Sequence, residues 1–283
     1  MKKRLIINAD DYGLTKGVSR GIRDAYKEGI VTSTTALMNI PGATHEIELA
    51  LEETPGLQIG VHLNITTGKP IFPLEEIPSL VHPDGRFFSK SELMMNLERI
   101  EIGELEKEWH AQIQQCLMNV SSISHIDSHI HAATWRDDFW SLYVDLATQF
   151  HCAARLPYSA PTSMVEQVKN TGMDPKLISI VFSNKDGQTM ALHKAKVPCT
   201  DSLVSLVELT NWFSPDPVID MVKKLPDGVS EWFCHPGYSD GNLEKLSSYN
   251  KQRDFELSCL VNDSLLQAIK ENNIELIGFI DIH

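Results

Sequence analysis

Two hydrophobic periods take turns along this chain. Arg4-Leu5-Ile6-Ile7-Asn8-Ala9 is a short apolar run closed by Asp10-Asp11, which predicts a buried strand over residues 4–9. After Thr15, a helix-capping residue type, Val18, Ile22 and Tyr26 recur at i, i+4 and i+8 until Gly29, the spacing and stop signal of a helix. Ile30 to Asn39, rich in Thr, Val and Leu, reads as a second strand, and a helix follows over 43–53. Leu57, Ile59, Val61 and Leu63 then alternate with Gln58, Gly60, His62 and Asn64. Period two puts His62 on the strand face opposite the aliphatic residues.

The same alternation continues. Residues 90–119 predict one long or broken helix, 123–128 a strand, 137–150 a helix and 153–156 a strand. Further strands are expected near 203–209, 229–234 and 274–281, with helices around 215–224 and 252–272. Strand and helix in turn mean a parallel α/β fold, and seven or eight such units close an irregular, TIM-like (β/α) barrel. Two stretches break the rhythm. Residues 66–88 carry Gly68, Pro70, Pro73, Pro78, Pro83 and Gly85; so long a loop directly after the His62 strand reads as a lid or wall of a site. Residues 158–200 are poorly periodic. No repeat, low-complexity tract or linker divides residues 1–283, so one domain is expected.

Composition narrows the function. The formal net charge of −13 excludes nucleic acid as a partner, since phosphates demand basic patches, and points to a neutral or cationic small ligand. Cys116, Cys152, Cys199, Cys234 and Cys259 are odd in number and form no Cys-x-x-Cys pair, which reads as reduced thiols in the cytoplasm. The apolar run after Met-Lys-Lys-Arg is too short for a signal peptide or a membrane span.

The polar residues at the ends of the predicted strands carry the chemistry. In Asp10-Asp11, adjacent strand residues point in opposite directions, so one carboxylate can bind a cation while the other stays free as a base. In His125-Ile126-Asp127-Ser128-His129-Ile130-His131, an extended chain puts His125, Asp127, His129 and His131 on one face. Imidazoles suit borderline metals, and an Asp beside them can fix a tautomer. Arg155, ending another strand, could hold a catalytic carboxylate ionised, and His235, opening His235-Pro236-Gly237-Tyr238, could serve as a general acid. Carboxylates and imidazoles at strand ends suggest a divalent-metal hydrolytic site.

These residues, in this order, resemble the YdjC-like carbohydrate deacetylases, the family of the chitooligosaccharide deacetylases. The matching stretches are Asn8-Ala9-Asp10-Asp11-Tyr12-Gly13-Leu14, Gly29-Ile30-Val31-Thr32-Ser33-Thr34-Thr35, Gly60-Val61-His62-Leu63-Asn64, His125-Ile126-Asp127-Ser128-His129, Arg155-Leu156-Pro157 and Glu231-Trp232-Phe233-Cys234-His235-Pro236-Gly237-Tyr238. Tyr12 stands where family members often carry Phe. The resemblance implies a hydrolase that removes acetyl groups from N-acetylglucosamine units, with Mg²⁺ or Zn²⁺ bound by Asp11, His62 and His129, and a homodimer. Similarity of mechanism to the broader polysaccharide deacetylases implies Asp10 as base, Arg155 as its partner and His235 as acid. Asp201 falls near an expected substrate-region Asp, and for such a substrate Trp135, Tyr158 and Trp232 are candidates to stack on sugar rings.

Two rival readings remain at this stage. One is a metal-dependent amidohydrolase or phosphoesterase on a related barrel, for which His129-Ile130-His131 would be a His-x-His metal motif. The other is a non-catalytic sugar-binding protein that keeps the fold but has no need of a base or an acid.

Overall fold

The computed structural model describes residues 2–158, 185–205 and 216–282. Among these, the strands are β1 (Lys3–Tyr12), β2 (Ser33–Ala36), β3 (Gln58–Leu63), β4 (His125–Ser128), β5 (Ala153–Ala154), β6 (Ser202–Ser205), β7 (Gly228–Cys234) and β8 (Glu275–Leu276). Every ladder is parallel, in the order β5-β4-β3-β2-β1-β7-β6, with β8 added to β1. β1 is the axis. β7 follows it from Lys3 to Ala9, β8 takes Arg4 and Leu5, and β2 joins from Asn8 onward. Between the outer strands β5 and β6 no ladder forms among the described residues; instead the Ala154 N–H donates to Pro198 O at 2.9 Å. The result is the expected irregular, TIM-like barrel.

The helices are α1 (Lys16–Lys27), α2 (Ala43–Glu53), α3 (Lys90–Met95), α4 (Ile102–Leu117), α5 (Asp137–Gln149), α6 (Lys185–Ala195), α7 (Asp216–Lys223), α8 (Leu243–Leu246), α9 (Lys251–Leu260) and α10 (Asp263–Glu271). Alternation sorts the strand residues between two environments. Leu5, Ile7 and Ala9 of β1, Ile59, Val61 and Leu63 of β3, and Trp232 and Cys234 of β7 share the main core with helix residues such as Val18, Ile22, Ile47 and Trp109. The other parity faces the barrel interior. Its floor is a separate apolar cluster containing Ile6, Val229 and Phe279, and its upper levels are polar.

Several departures from the sequence pattern have local causes. The 90–119 helix is broken: Ser89 and Glu92 form a capping box that starts α3, and a 3₁₀ turn at Leu97–Arg99 separates it from α4. The 252–272 helix splits at Asn262, whose side chain accepts from Ser264 N–H and caps α10. The 274–281 strand shrinks to two residues because the chain turns into a 3₁₀ segment, Phe279–Asp281, which supplies Phe279 to the floor. α6 arises inside the poorly periodic stretch, most of which, with the end of the 203–209 strand, lies outside the described residues. Residues 66–88 form a built wall rather than an open loop. Ile77, Leu80 and Phe87 are buried, Val81 bridges Phe87, and the Glu108 carboxylate accepts from the Ile71 and Phe72 N–H groups.

Tyr12 uses its hydroxyl, donating to Glu46 O at 2.6 Å and accepting from Arg23 Nη1 at 2.9 Å. All five cysteines are free, Cys199 half-buried and the others buried. Among the described residues no helix is long and apolar enough to cross a membrane.

One small residue sets the spacing of the polar layers. A Cβ on Gly60 would lie 2.5 Å from His125 O and 2.6 Å from His125 Nδ1, so the absent side chain on β3 is what admits the His125 ring. Gly60→Ala should therefore destabilise the protein by about 1–3 kcal/mol through overpacking, read as a lower urea midpoint with an unchanged slope. An unchanged midpoint would mean that β3 and β4 separate freely.

Candidate active site at the carboxyl ends of the strands

The polar interior culminates where the strands end. Asp10 and Asp11 lie near the end of β1, His62 near the end of β3, Asp127 in β4, and His129, Arg155 and His235 directly after β4, β5 and β7. This is the end of a parallel barrel where active sites are built. Asp10, Asp11, His62, His129, Arg155 and His235 converge here.

The aspartate pair does so by a device that strict alternation does not foresee. Ala9 pairs with Thr34 and Tyr12 with Ala36, so β1 advances three residues while β2 advances two. The extra residue makes a bulge, and Asp11 takes a left-handed conformation at φ 70°, which Asp tolerates better than most residues. Neighbouring carboxylates thereby enter the same site at different points.

Asp11 faces the histidines. Its Oδ1 lies 3.3 Å from His62 Nε2 and 3.1 Å from His129 Nδ1, and these two nitrogens are 3.2 Å apart. Donor atoms of Asp11, His62 and His129 thus lie within 4.8 Å of one another. Asp11 Oδ1 is buried and has no hydrogen-bond partner among the described residues. On its far side, His62 Nδ1 meets Asp127 Oδ1 at 2.6 Å, and Asp127 Oδ2 accepts from Thr35 Oγ1 at 2.9 Å. This carboxylate fixes the ring so that Nε2 is the atom presented to Asp11. Burial by itself would push the His62 imidazole down; Asp127, Asp11 and Asp10 outweigh it and lift it to about 10. For Asp11, burial is again opposed, here by Arg253 and His129, and the carboxyl is held well below its ordinary range. The wall adds Thr67, whose Oγ1 is 3.4 Å from His129 Nε2.

Arg155 organises the other half. Its guanidinium holds Asp10 through both oxygens, at 2.7 and 2.6 Å. It also reaches Asp127 at 2.8 Å and Glu231 at 2.7 Å, and all four side chains are buried. A second acidic cluster of Asp10, His62 and Asp127 is therefore occupied by this cation. Burial would raise the Asp10 carboxyl, but the charge and hydrogen bonds of Arg155 dominate and hold it well below the carboxylate range. Glu231 behaves differently. Burial, helped by the charges of Asp10 and Asp127, pushes it up to about 7 against the pull of Arg155, and its Oε2 has no partner.

His235 is half-buried, with Nε2 3.9 Å from Asp10 Oδ2. Its backbone N–H donates to Glu256 Oε2 at 2.6 Å, and the Tyr249 hydroxyl bonds the other Glu256 oxygen.

Other expected members stand elsewhere. His125 shares the inward parity of Asp127 but sits one layer lower, stacked on Phe279 at 3.7 Å and bonded to Ser124 Oγ at 2.9 Å. Burial and the nearby Arg155 hold it well below the ordinary imidazole value, so it is a neutral core residue. His131 leaves the shared face because the strand ends at Ser128 and Ile130 and His131 both take positive φ; its ring stacks on Tyr158 at 5.0 Å, edge-on to Phe233. Asp201 lies just before β6, at the opposite end of the barrel, where its Oδ2 accepts from Val229 N–H. Trp135 and Trp232 are buried in the core, which removes them as sugar platforms, whereas Tyr158 is half-buried beside the site.

Sequence reading missed Glu231, Arg253 and Glu256. For Glu231 a signal existed: a carboxylate in an apolar strand with the same parity as His235. Arg253 and Glu256 look like ordinary helix-surface charges.

A family model described as YdjC-like protein matches residues 4–271. A carbohydrate deacetylase of Halalkalibacterium halodurans is 33% identical over 267 residues, covering 94% of this chain and 98% of the relative. A carbohydrate deacetylase of Thermoanaerobacter pseudethanolicus is 28% identical, covering 98% of each. A crystal structure from Enterococcus faecalis V583, described as a candidate for cellobiose-phosphate cleavage, superposes with a TM-score of 0.81 at 30% identity and covers 99% of both chains. The relatives' shared activity makes the chain an enzyme of the hydrolase class. The chain belongs to the YdjC-like family.

The Glu231 shift has a signed consequence. Its folded value of about 7 lies above the ordinary 4.5, so the folded state holds a proton that the unfolded state releases. Glu231 thus adds stability that is complete below about 4.5 and lost as pH rises to about 7. Glu231→Gln should flatten the fall in unfolding free energy between pH 5 and pH 7.5, measured by urea titration in chelator. An identical slope in both proteins would assign the proton elsewhere.

Proposed function

We propose that this protein is a metal-dependent carbohydrate N-deacetylase that removes acetyl groups from N-acetylglucosamine units of chitooligosaccharides. The observation that carries the reading is the buried, unpartnered Asp11 Oδ1 facing His62 Nε2 and His129 Nδ1. A carboxylate oxygen and two imidazole nitrogens suit Zn²⁺ or, with more water, Mg²⁺, and the Asp127–His62 contact is the outer support such a site uses. The names of the curated relatives support the sugar and the acetyl group. On this reading the chain is one domain over residues 1–283, working in the cytoplasm as a homodimer.

Asp11, His62 and His129 would hold a divalent ion, which when bound would lower the pKa of a water and polarise a carbonyl oxygen. The remaining chemistry falls to the side chains. Asp10, kept ionised by Arg155, accepts a proton from the water whose oxygen bonds to the acetyl carbon. His235 donates a proton to the sugar nitrogen as the C–N bond breaks, because an amine leaves poorly unless protonated. Acetate and a free amino sugar result. The Arg155 fork fixes the direction of the Asp10 oxygens, at a cost to Asp10 basicity.

The separation of His129 from His131 disfavours the phosphoesterase reading, since the His-x-His pair does not converge. The presence of both Asp10 and His235 disfavours a simple binder.

The test is acetate release from N-acetylglucosamine, chitobiose and chitotriose, abolished by chelation and restored by metal. In the same assay Asp10→Asn should keep its metal and lose roughly 10²–10⁴-fold in turnover. Phosphate-ester cleavage without acetate release would replace this function, and sugar binding without release would reduce the protein to a lectin-like role. Should the variant lose its metal yet turn over normally in excess metal, the two aspartates have exchanged roles.

His235→Gln should bind substrate but hydrolyse the amide slowly. The defect should shrink markedly on an activated acetyl ester, whose leaving group needs no proton. Equal losses on amide and ester would make His235 structural or oxyanion-binding instead.

A further inference from the structure

One helix outside the strand-end motifs reaches into the centre of the site. Arg253, in the first turn of α9, is buried, and its Nη2 bonds Asp11 Oδ2. Its Nε donates to Tyr249 O at 3.0 Å, so the guanidinium is fixed from two sides. Glu256 stands three residues on, on the same helix face, and accepts from the His235 N–H. The Arg253 carbonyl accepts from Gly237 N–H, and the Asp254 carboxylate from Ser239 N–H. α9 is thus tied to the turn after β7 at three points, which fixes where Arg253 stands.

The two oxygens of Asp11 consequently differ. Oδ2 is engaged by Arg253, while Oδ1 alone faces the histidine nitrogens. We propose that Arg253 is a positioning residue that restricts Asp11 to one donor oxygen and so sets how tightly and in what geometry the site takes its metal. This rests on the metal-dependent reading above. Two effects of removing the guanidinium oppose each other. Losing a cation next to the site favours a divalent ion, whereas freeing Oδ2 leaves a buried carboxylate that can rotate. Orientation should win, since loss of such outer partners costs typically about 10–100-fold in metal affinity.

The experiment measures Zn²⁺ and Co²⁺ affinity by chelator competition, together with the visible spectrum of the Co²⁺ form. Wild type is compared with Arg253→Met and Arg253→Lys. Arg253→Met should bind one Co²⁺ about 10–100-fold more weakly, with an altered spectrum that reports a changed Asp11 binding mode. Arg253→Lys keeps the charge but cannot hold both Tyr249 O and Asp11, so it should fall between the two and decides the matter if Arg253→Met does not fold. Unchanged affinity and spectrum in a folded variant would overturn the proposal. Tighter binding would also overturn it, leaving Arg253 as a repelling charge only. Absence of metal binding by wild type would instead sink the metal-dependent function, and this proposal with it.

Discussion

The buried guanidinium of Arg155 is the interaction on which the rest of the site depends. It enters from the end of β5 and meets carboxylates from β1, β4 and β7. Between β5 and β6 no ladder closes the sheet among the described residues, so the barrel needs another tie across its interior, and this ion cluster supplies it. Such a cluster is weak evidence of net stability, because desolvating charges offsets most of their attraction. Breaking it is another matter: an uncompensated buried charge costs about 3–5 kcal/mol. The cluster therefore acts chiefly as a constraint on position. It fixes Asp10 directly and, through Asp127, the ring of His62, so the proposed base and one proposed metal ligand answer to the same cation.

That coupling shows how the polar interior can be rigid without an apolar core. Asn8 donates to Asp10 and Thr35, Ser33 donates to Asn8, and Thr35 donates to Asp127. Each of these side chains comes from an inward-facing position on β1, β2 or β4. Satisfied hydrogen bonds in a low-dielectric interior hold such groups more firmly than they would in water. Two of the buried atoms that escape this accounting are informative: Asp11 Oδ1 and Glu231 Oε2 have no hydrogen-bond partner among the described residues, one facing the histidines and the other buried beside Arg155.

Much of this was legible in the sequence, for identifiable reasons. Period-two alternation placed His62 on the inner face, and the strand-then-helix rhythm put Asp10, His129, Arg155 and His235 at strand ends. Alternation misled at two positions where the backbone departs from it. The bulge at Asp10-Asp11 sends both carboxylates into one site, and the positive φ values of Ile130 and His131 carry His131 away from His129. Neither departure involves a glycine, and Asp and His, though they tolerate positive φ better than most residues, do not announce it. Arg253 and Glu256 were illegible for a different reason. Their partners are more than 240 and about 20 residues away respectively, and a charged pair three apart on a helix ordinarily faces solvent. Trp232 shows the opposite error, since its aromatic ring suggested a sugar platform while its parity assigns it to the outer core.

Charge balance connects these observations to the proposed chemistry. Asp10, Asp11, Asp127 and Glu231 offer carboxylates to a region served by the guanidiniums of Arg155 and Arg253. With every group ionised the region is short of positive charge, and a buried deficit of that kind must be met. Protons on Glu231, lifted to about 7, and on His62, lifted to about 10, are one way to meet it. A divalent cation at Asp11, His62 and His129 is the alternative. It would take the place of the His62 proton at Nε2, while Asp127 still holds Nδ1. The carboxylates that make the site hospitable to a proton are the ones that make it hospitable to a metal, and the Asp127 contact stays the same in either state. On the proposed metal-dependent reading, the site would exchange one cation for the other without rebuilding its supports.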